Sequence, residues 1–200
     1  MAENRDGNGN GTTLRILDVA ERLVQVRGYN GFSYGDIATE LGITRAALHY
    51  HFAGKAELGQ ALIERYASRF AAALANLDDT VPAAPAKLQG YADLYVDVVS
   101  DNRMCLCGML AAEHRTLPEA LQQAVCAFFA SNTAWLRTVL EQGRADGSLA
   151  FPGTAEDTAG MILGGLEGSM LITRLDGDVQ RFRSTAARLL AGLSTAAVPA

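Results

Sequence analysis

The sequence predicts an all-helical fold, with an N-terminal three-helix domain carrying a helix-turn-helix and a larger helical domain behind it. Three observations carry this. Apolar side chains recur at the three- and four-residue spacing of helices, as in Leu58, Leu62, Tyr66, Phe70 and Leu74. Helix-stop and helix-start residues separate the periodic segments: Gly28, Gly42 and Gly147 stop them, and Ser33, Thr44 and Pro118 start them. The stretch from Phe32 to Phe52 packs two sets of such signals into one short run.

A chain of 200 residues can bury one good core or two small ones. Apolar content of 49% with 20% charged residues marks a globular protein. Residues 1–11 are polar and glycine-rich, with Gly-Asn-Gly-Asn-Gly at 7–11, and are predicted to be a disordered arm. They lack the apolar segment of an export signal. Thr12 or Thr13 can then cap a first helix, whose stripe of Ile16, Leu17, Ala20, Leu23 and Val24 ends at Gly28.

The next stretch organises the chain. Ser33 is a good N-cap and Asp36 stands three residues later, as in a capping box, with Phe32 and Ile37 placed for a hydrophobic staple. Gly42 suits the left-handed residue that ends a helix. Thr44 caps a second helix, with Ile43 and Leu48 repeating the staple. Two short capped helices joined by a tight turn describe a helix-turn-helix, whose second helix enters the DNA major groove N-terminus first. Those leading residues are Thr44, Arg45 and Ala46. Arginine pairs bidentately with guanine, and the threonine methyl or alanine meets thymine. His49, Tyr50, His51 and Lys55 follow and suit phosphate contacts.

From Arg15 to Leu58 the chain resembles the N-terminal domain of the TetR (tetracycline-repressor-like) family of bacterial regulators. The resemblance runs through Arg15-Ile-Leu-Asp-Val-Ala20, Arg27-Gly28-Tyr29, Phe32-Ser33, Asp36-Ile37-Ala38, Leu41-Gly42-Ile43-Thr44, Leu48, Tyr50-His51-Phe52, Lys55 and Glu57-Leu58. It implies base-facing roles for Thr44, Arg45 and Ala46, and backbone-facing roles for Ser33, Tyr34, His49, Tyr50, His51 and Lys55. The sequence departs from the family pattern at His49, where tyrosine is usual, and at Gly54, where a serine cap is usual. The expected layout is an arm at 1–11, a DNA-binding domain at 12–55, and a ligand-binding and dimerisation domain at 56–195.

Charge qualifies the DNA reading. Net charge is −5, but residues 1–55 balance six Lys/Arg against six Asp/Glu, so the excess acid lies beyond them. Non-specific affinity scales with neutralised phosphates, which predicts weak non-specific binding.

The second domain opens with a long helix from Lys55 to about Leu77, the natural link between the two domains. A further helix spans Ala86 to Asn102, turning Leu88, Tyr91, Leu94, Tyr95, Val98 and Val99 inward. Its Asp93, Asp97 and Asp101 fall on one side and read as a solvated face rather than a metal site. A short apolar helix follows in Met104–His114, containing Cys105 and Cys107. Two cysteines so spaced on a helix point apart, so they neither pair nor share a metal. With Cys126 the count is odd, which suits reduced thiols in a cytosol. Both Cys105 and Cys107 read first as small core residues. Some branches of the family carry a sensing cysteine near this place, so the resemblance also implies a thiol-based redox or electrophile sensor using Cys105 or Cys107.

Large apolar groups are abundant in this half. Tyr91, Tyr95, Cys105, Met109, Phe128, Trp135 and Met170 are the candidate lining of a pocket for an apolar ligand. The predicted helix from Ala155 to Arg174 carries Gly160, Gly164 and Gly168 on one stripe. Each interior glycine costs about 1 kcal/mol relative to alanine. Such a stripe lets another backbone approach closely. With Phe182 and Leu189 of the last helix it is the candidate two-fold interface of a homodimer, as the family resemblance also implies.

Together these readings describe a cytoplasmic, homodimeric, ligand-responsive transcriptional regulator, a repressor by resemblance. Its partners are a near-palindromic double-stranded DNA operator and a small-molecule effector. The sequence holds no phosphate loop, dinucleotide fingerprint, metal-ligand cluster or nucleophile elbow, so neither a cofactor nor enzyme chemistry is expected. No apolar run reaches the ~18 residues of a membrane span.

Overall fold

The computed structural model describes residues 6–193. These form α1 (Asp6–Arg27), α2 (Tyr34–Leu41), α3 (Arg45–His51), α4 (Lys55–Thr80), α5 (Ala84–Ser100), α6 (Leu106–Ala112), α7 (Glu119–Ala145), α8 (Ala155–Asp176) and α9 (Val179–Ala191), with a 3-10 turn at His114–Thr116. The chain separates into two compact units, one built from residues up to Ala67 with Leu106–Cys126, the other from Ser68–Cys105 and the residues from Ala127 onward. Helices α4 and α7 contribute to both.

In the first unit, α1 begins at Asp6, so positions 7–11 are helical backbone, while residues 1–5 of the expected arm lie outside the described residues. Extending an existing helix is far easier than nucleating one, which lets α1 run through weak helix formers. Thr13 is therefore an interior residue, and its hydroxyl meets the His51 ring at 2.9 Å. Ile16, Ala20, Leu23 and Val24 of α1 share a core with Ile37, Leu48, Leu58 and Leu62, all at most 1% exposed. Truncating such a residue to alanine costs about 2–5 kcal/mol. At the rim, Arg65 of α4 holds Asp18 at 2.8 Å and Glu21 at 2.7 Å on α1.

Helix α6 and the turn after it also belong to this unit, beyond the 12–55 span read from the motif. The reason is a long-range latch. Glu113 accepts the Tyr29 amide at 2.6 Å and lies 3.3 Å from the Asn30 amide, and the Asn30 side chain donates to Thr116 at 2.8 Å. Gly28 makes room for it: its φ is +82°, and a Cβ there would sit 2.8 Å from Glu113 Oε1.

In the second unit, α9 packs against α8 and α5. Phe182, Ala186, Leu190 and Leu193 are buried there. This corrects the expectation for Phe182, which is fully buried within its own protomer rather than offered to a partner. Leu189 is half-buried and packs over Gly165, where an added Cβ would lie 2.9 Å from Leu189 Cδ2. Asp78 at the end of α4 ties α5 and α7 to it, through Lys87 at 2.6 Å and the Trp135 ring N–H at 2.9 Å. Lys87 is only 7% exposed, so this pairing offsets the cost of burying its charge.

Candidate nucleic-acid interface

The caps read from the sequence are formed. Ser33 accepts from the Asp36 amide at 3.4 Å, while the Asp36 carboxylate accepts from the Ser33 amide at 2.7 Å and its hydroxyl at 2.6 Å. These Ser33 hydrogen bonds hold the Asp36 carboxyl below the usual carboxylate range. Gly42 closes α2 with φ +65° and bonds back into the helix, as its lack of a side chain allows. Thr44 then caps α3, accepting from the Ala47 amide at 3.1 Å.

With the turn fixed this way, Leu48 faces inward at 0% exposure, while Thr44, Arg45 and Ala46 are all exposed at the leading end of α3. The Arg45 guanidinium lies over α2, where a Cβ on Gly35 would come within 2.6 Å of Nη2. It lines a cleft of about 440 Å³ with Arg27, Ser33, Asp36 and Glu40. The two acids there are engaged, Asp36 with Arg27 at 3.6 Å and Glu40 with Arg22.

Ser33, Tyr34, His49 and Lys55 come together around a second cleft of about 350 Å³. The Tyr34 and His49 rings lie 4.8 Å apart. The Tyr34 hydroxyl donates to the Phe52 carbonyl at 3.1 Å. Burial, and secondarily Glu57, push that hydroxyl up to about 12, so it stays neutral. His49 Nδ1 meets the Ala53 carbonyl at 3.1 Å. Lys55 donates to the Phe32 carbonyl and sits over the Phe32 and Tyr29 rings, at 4.2 and 4.7 Å. Burial pulls its ammonium down from the ordinary lysine value. Tyr50 is 88% exposed beside half-buried His51. Arg27, which the motif did not single out, joins the first cleft because its helix passes beside the α2 cap.

Comparison with known proteins places this geometry. The family model for bacterial regulatory proteins of the tetR family matches residues 16–62, and the tetracyclin repressor-like C-terminal domain matches 84–189. A TetR-family transcriptional regulator from Agrobacterium tumefaciens is 33% identical, with 94% of this chain and all of that one covered at a TM-score of 0.91. This chain belongs to the TetR family. A TetR regulator from Legionella pneumophila is 32% identical over 97% of this chain and all of its own, with a TM-score of 0.82. The regulator TtgR of Pseudomonas putida is 43% identical over 53 residues, 26% of this chain and 25% of its own length. The chain thus spans about a quarter of the curated relatives it matches. TetR-family members are DNA-binding transcriptional regulators rather than enzymes.

The residues expected to line an effector pocket fall in both units. In this TetR chain Tyr91, Tyr95, Phe128 and Trp135 form one aromatic cluster with Phe70, while Met109 belongs to the first unit. Met170 is 1% exposed and lines a small cavity with Val99, Arg103 and Thr173. Cys105 and Cys107 are buried and Cys126 is exposed. Cys105 hydrogen-bonds Glu167, a residue the sequence reading passed over. Its signal was a single carboxylate inside the otherwise apolar, glycine-rich run of α8.

The glycine stripe is open. A Cβ on Gly160, Gly164 or Gly168 would meet nothing within 4 Å. Met161, Leu171, Ile172 and Leu175 are exposed on the same helix, Leu175 at 82%. No helix among the described residues is long and apolar enough to cross a membrane.

Proposed function

We propose that this TetR-family chain is a homodimeric repressor that a small-molecule effector releases from a near-palindromic operator. One observation carries the DNA half of this reading. Thr44, Arg45 and Ala46 stand exposed at a capped helix end whose opposite face is locked into the core. Two such ends in a two-fold dimer reach successive major grooves if their recognition helices lie about 34–36 Å apart. The open glycine stripe and the exposed apolar residues of α8 support the dimer, because among the described residues nothing lies within 4 Å of a Cβ added to that stripe. An effector that binds better to a state with wrongly spaced recognition helices lowers DNA affinity by population shift.

The thiol-sensing alternative has less support. Cys105 and Cys107, its two candidates, are 1% and 0% exposed. A regulator whose three cysteines form no disulfide suits a reducing cytosol.

A gel-shift titration on the DNA upstream of the protein's own gene tests the reading. Arg45→Ala is expected to weaken specific binding by about 1–3 kcal/mol and to relax preference at one base pair. A variant that binds the same sequences with the same ranking removes Arg45 from base recognition.

A further inference from the structure

The interior of the second unit is aromatic, yet a chain of polar groups runs through it. Phe70 packs edge-on against Tyr91 and Tyr95, with ring centres 5.9 and 6.1 Å apart, and Trp135 stacks on Tyr91 at 5.6 Å. Within this cluster Tyr91 donates to Asn132 Oδ1 at 3.3 Å, and its hydroxyl meets that of Tyr95 at 3.2 Å. Tyr95 and Cys105 in turn hydrogen-bond the Glu167 carboxyl. There the chain stops. Glu167 Oε1 is buried and has no hydrogen-bond partner, and no Lys, Arg or His among the described residues pairs with this side chain.

A buried acceptor without a donor is uncommon and calls for an explanation. A buried carboxylate without a cation is costlier still, because desolvation takes several kcal/mol per ion. Beside the apolar Ile162, Leu163, Leu166 and Met170, α8 buries only the small hydroxyls of Thr158 and Thr173, so a carboxylate is the costliest group it takes inside.

We propose that Glu167, with Tyr95 and Cys105 beside it, is the subsite that receives the protonated amine of an organic effector. This rests on the effector reading above and names its chemistry. Three ligand groups can be weighed against Oε1. A carboxylate brings neither donor nor opposite charge. An alcohol brings a donor alone. A protonated amine brings both. Burial also raises the Glu167 carboxyl to about 7, and an ammonium against it holds it ionised. The aromatic cluster then favours an apolar body for the same molecule.

The chain contains a single tryptophan, Trp135, so its fluorescence reports on this cluster. The test titrates the purified full chain with matched series: benzylamine, benzyl alcohol and benzoate, then the phenethyl and naphthylmethyl homologues. At least one ammonium compound is expected to bind about tenfold or more tightly than its alcohol, a step of about 1.4 kcal/mol. Glu167→Gln should erase that preference and leave alcohol binding within about twofold. Glu167→Leu, an apolar residue of the kind α8 buries at 163 and 166, should erase the preference as well, so it serves if the glutamine variant does not fold. If no ammonium outranks its alcohol, or the preference survives Glu167→Gln, the subsite is not there. A gel shift in the same series separates the two readings. An alcohol or carboxylate that releases DNA while the amines do not overturns the charge assignment and leaves the effector reading standing. An amine that binds through Glu167 without ever changing DNA binding confirms the subsite and overturns the effector reading.

Discussion

Asp36 and Glu167 are both carboxylates beside hydroxyl donors, and they stand in opposite electrical conditions. Asp36 is on the surface, held by the Ser33 amide and hydroxyl, and sits below the usual carboxylate range. Glu167 lies beside Tyr95 of the aromatic cluster, short of a partner for one oxygen, and is raised to about 7. The first stays charged at any physiological pH and so behaves as part of a fixed frame. The second is poised to change charge with its surroundings. The α2 cap thus carries a fixed charge, and the Glu167 site one that its surroundings can switch.

The largest expected effect tests the Glu167 side of this contrast. Glu167 ionises more readily in the unfolded chain, where its pKa is near 4.5, than in the folded one, where it is about 7. Its contribution to stability is therefore complete below about pH 4.5 and is lost as pH rises through 7. Glu167→Gln removes that loss. In urea titrations the variant should be more stable than the parent at pH 8, by on the order of 3 kcal/mol, and nearly equal to it at pH 4.5. A gain that does not vary with pH would break the contrast.

A smaller effect is expected at a third carboxylate, Glu113, which latches the Tyr29 and Asn30 amides from a distance in the chain. Gly28→Ala places a Cβ against it at a φ of +82°. Thermal unfolding should show a loss of about 1–3 kcal/mol, the cost of a side chain in a sparsely populated backbone region. The smallest change is Ser33→Ala, which removes one half of the capping box. A loss near 1 kcal/mol is expected from the same measurement. It should grow toward neutral pH and fade in acid as Asp36 is protonated, since a carboxyl held low stabilises only while it is charged.

The two regions also differ in how far they can be read from sequence. Ser33, Asp36, Gly42 and Thr44 act on neighbours three to five residues away, so their spacing alone places the caps and the exposed end of α3. The Glu167 subsite is assembled from α5, α8 and the residue before α6, and no local spacing records that meeting. The same holds for Glu113, which sits 84 residues from the amide it accepts. Phe182 marks a further limit: periodicity shows that α9 has an apolar face, but not that α5 and α8 cover it. Aromatic residues likewise looked the same whether stacked on each other, as Tyr91 and Trp135 are, or lining a cavity.

One consequence of α8 concerns dosage. A protomer that leaves Met161, Leu171, Ile172 and Leu175 in water gains free energy whenever any apolar surface covers them. With a second copy in that place, folding and pairing become linked by mass action. The amount of protein in the cell then sets how durable each molecule is, and a scarcely expressed regulator would be short-lived as well as scarce.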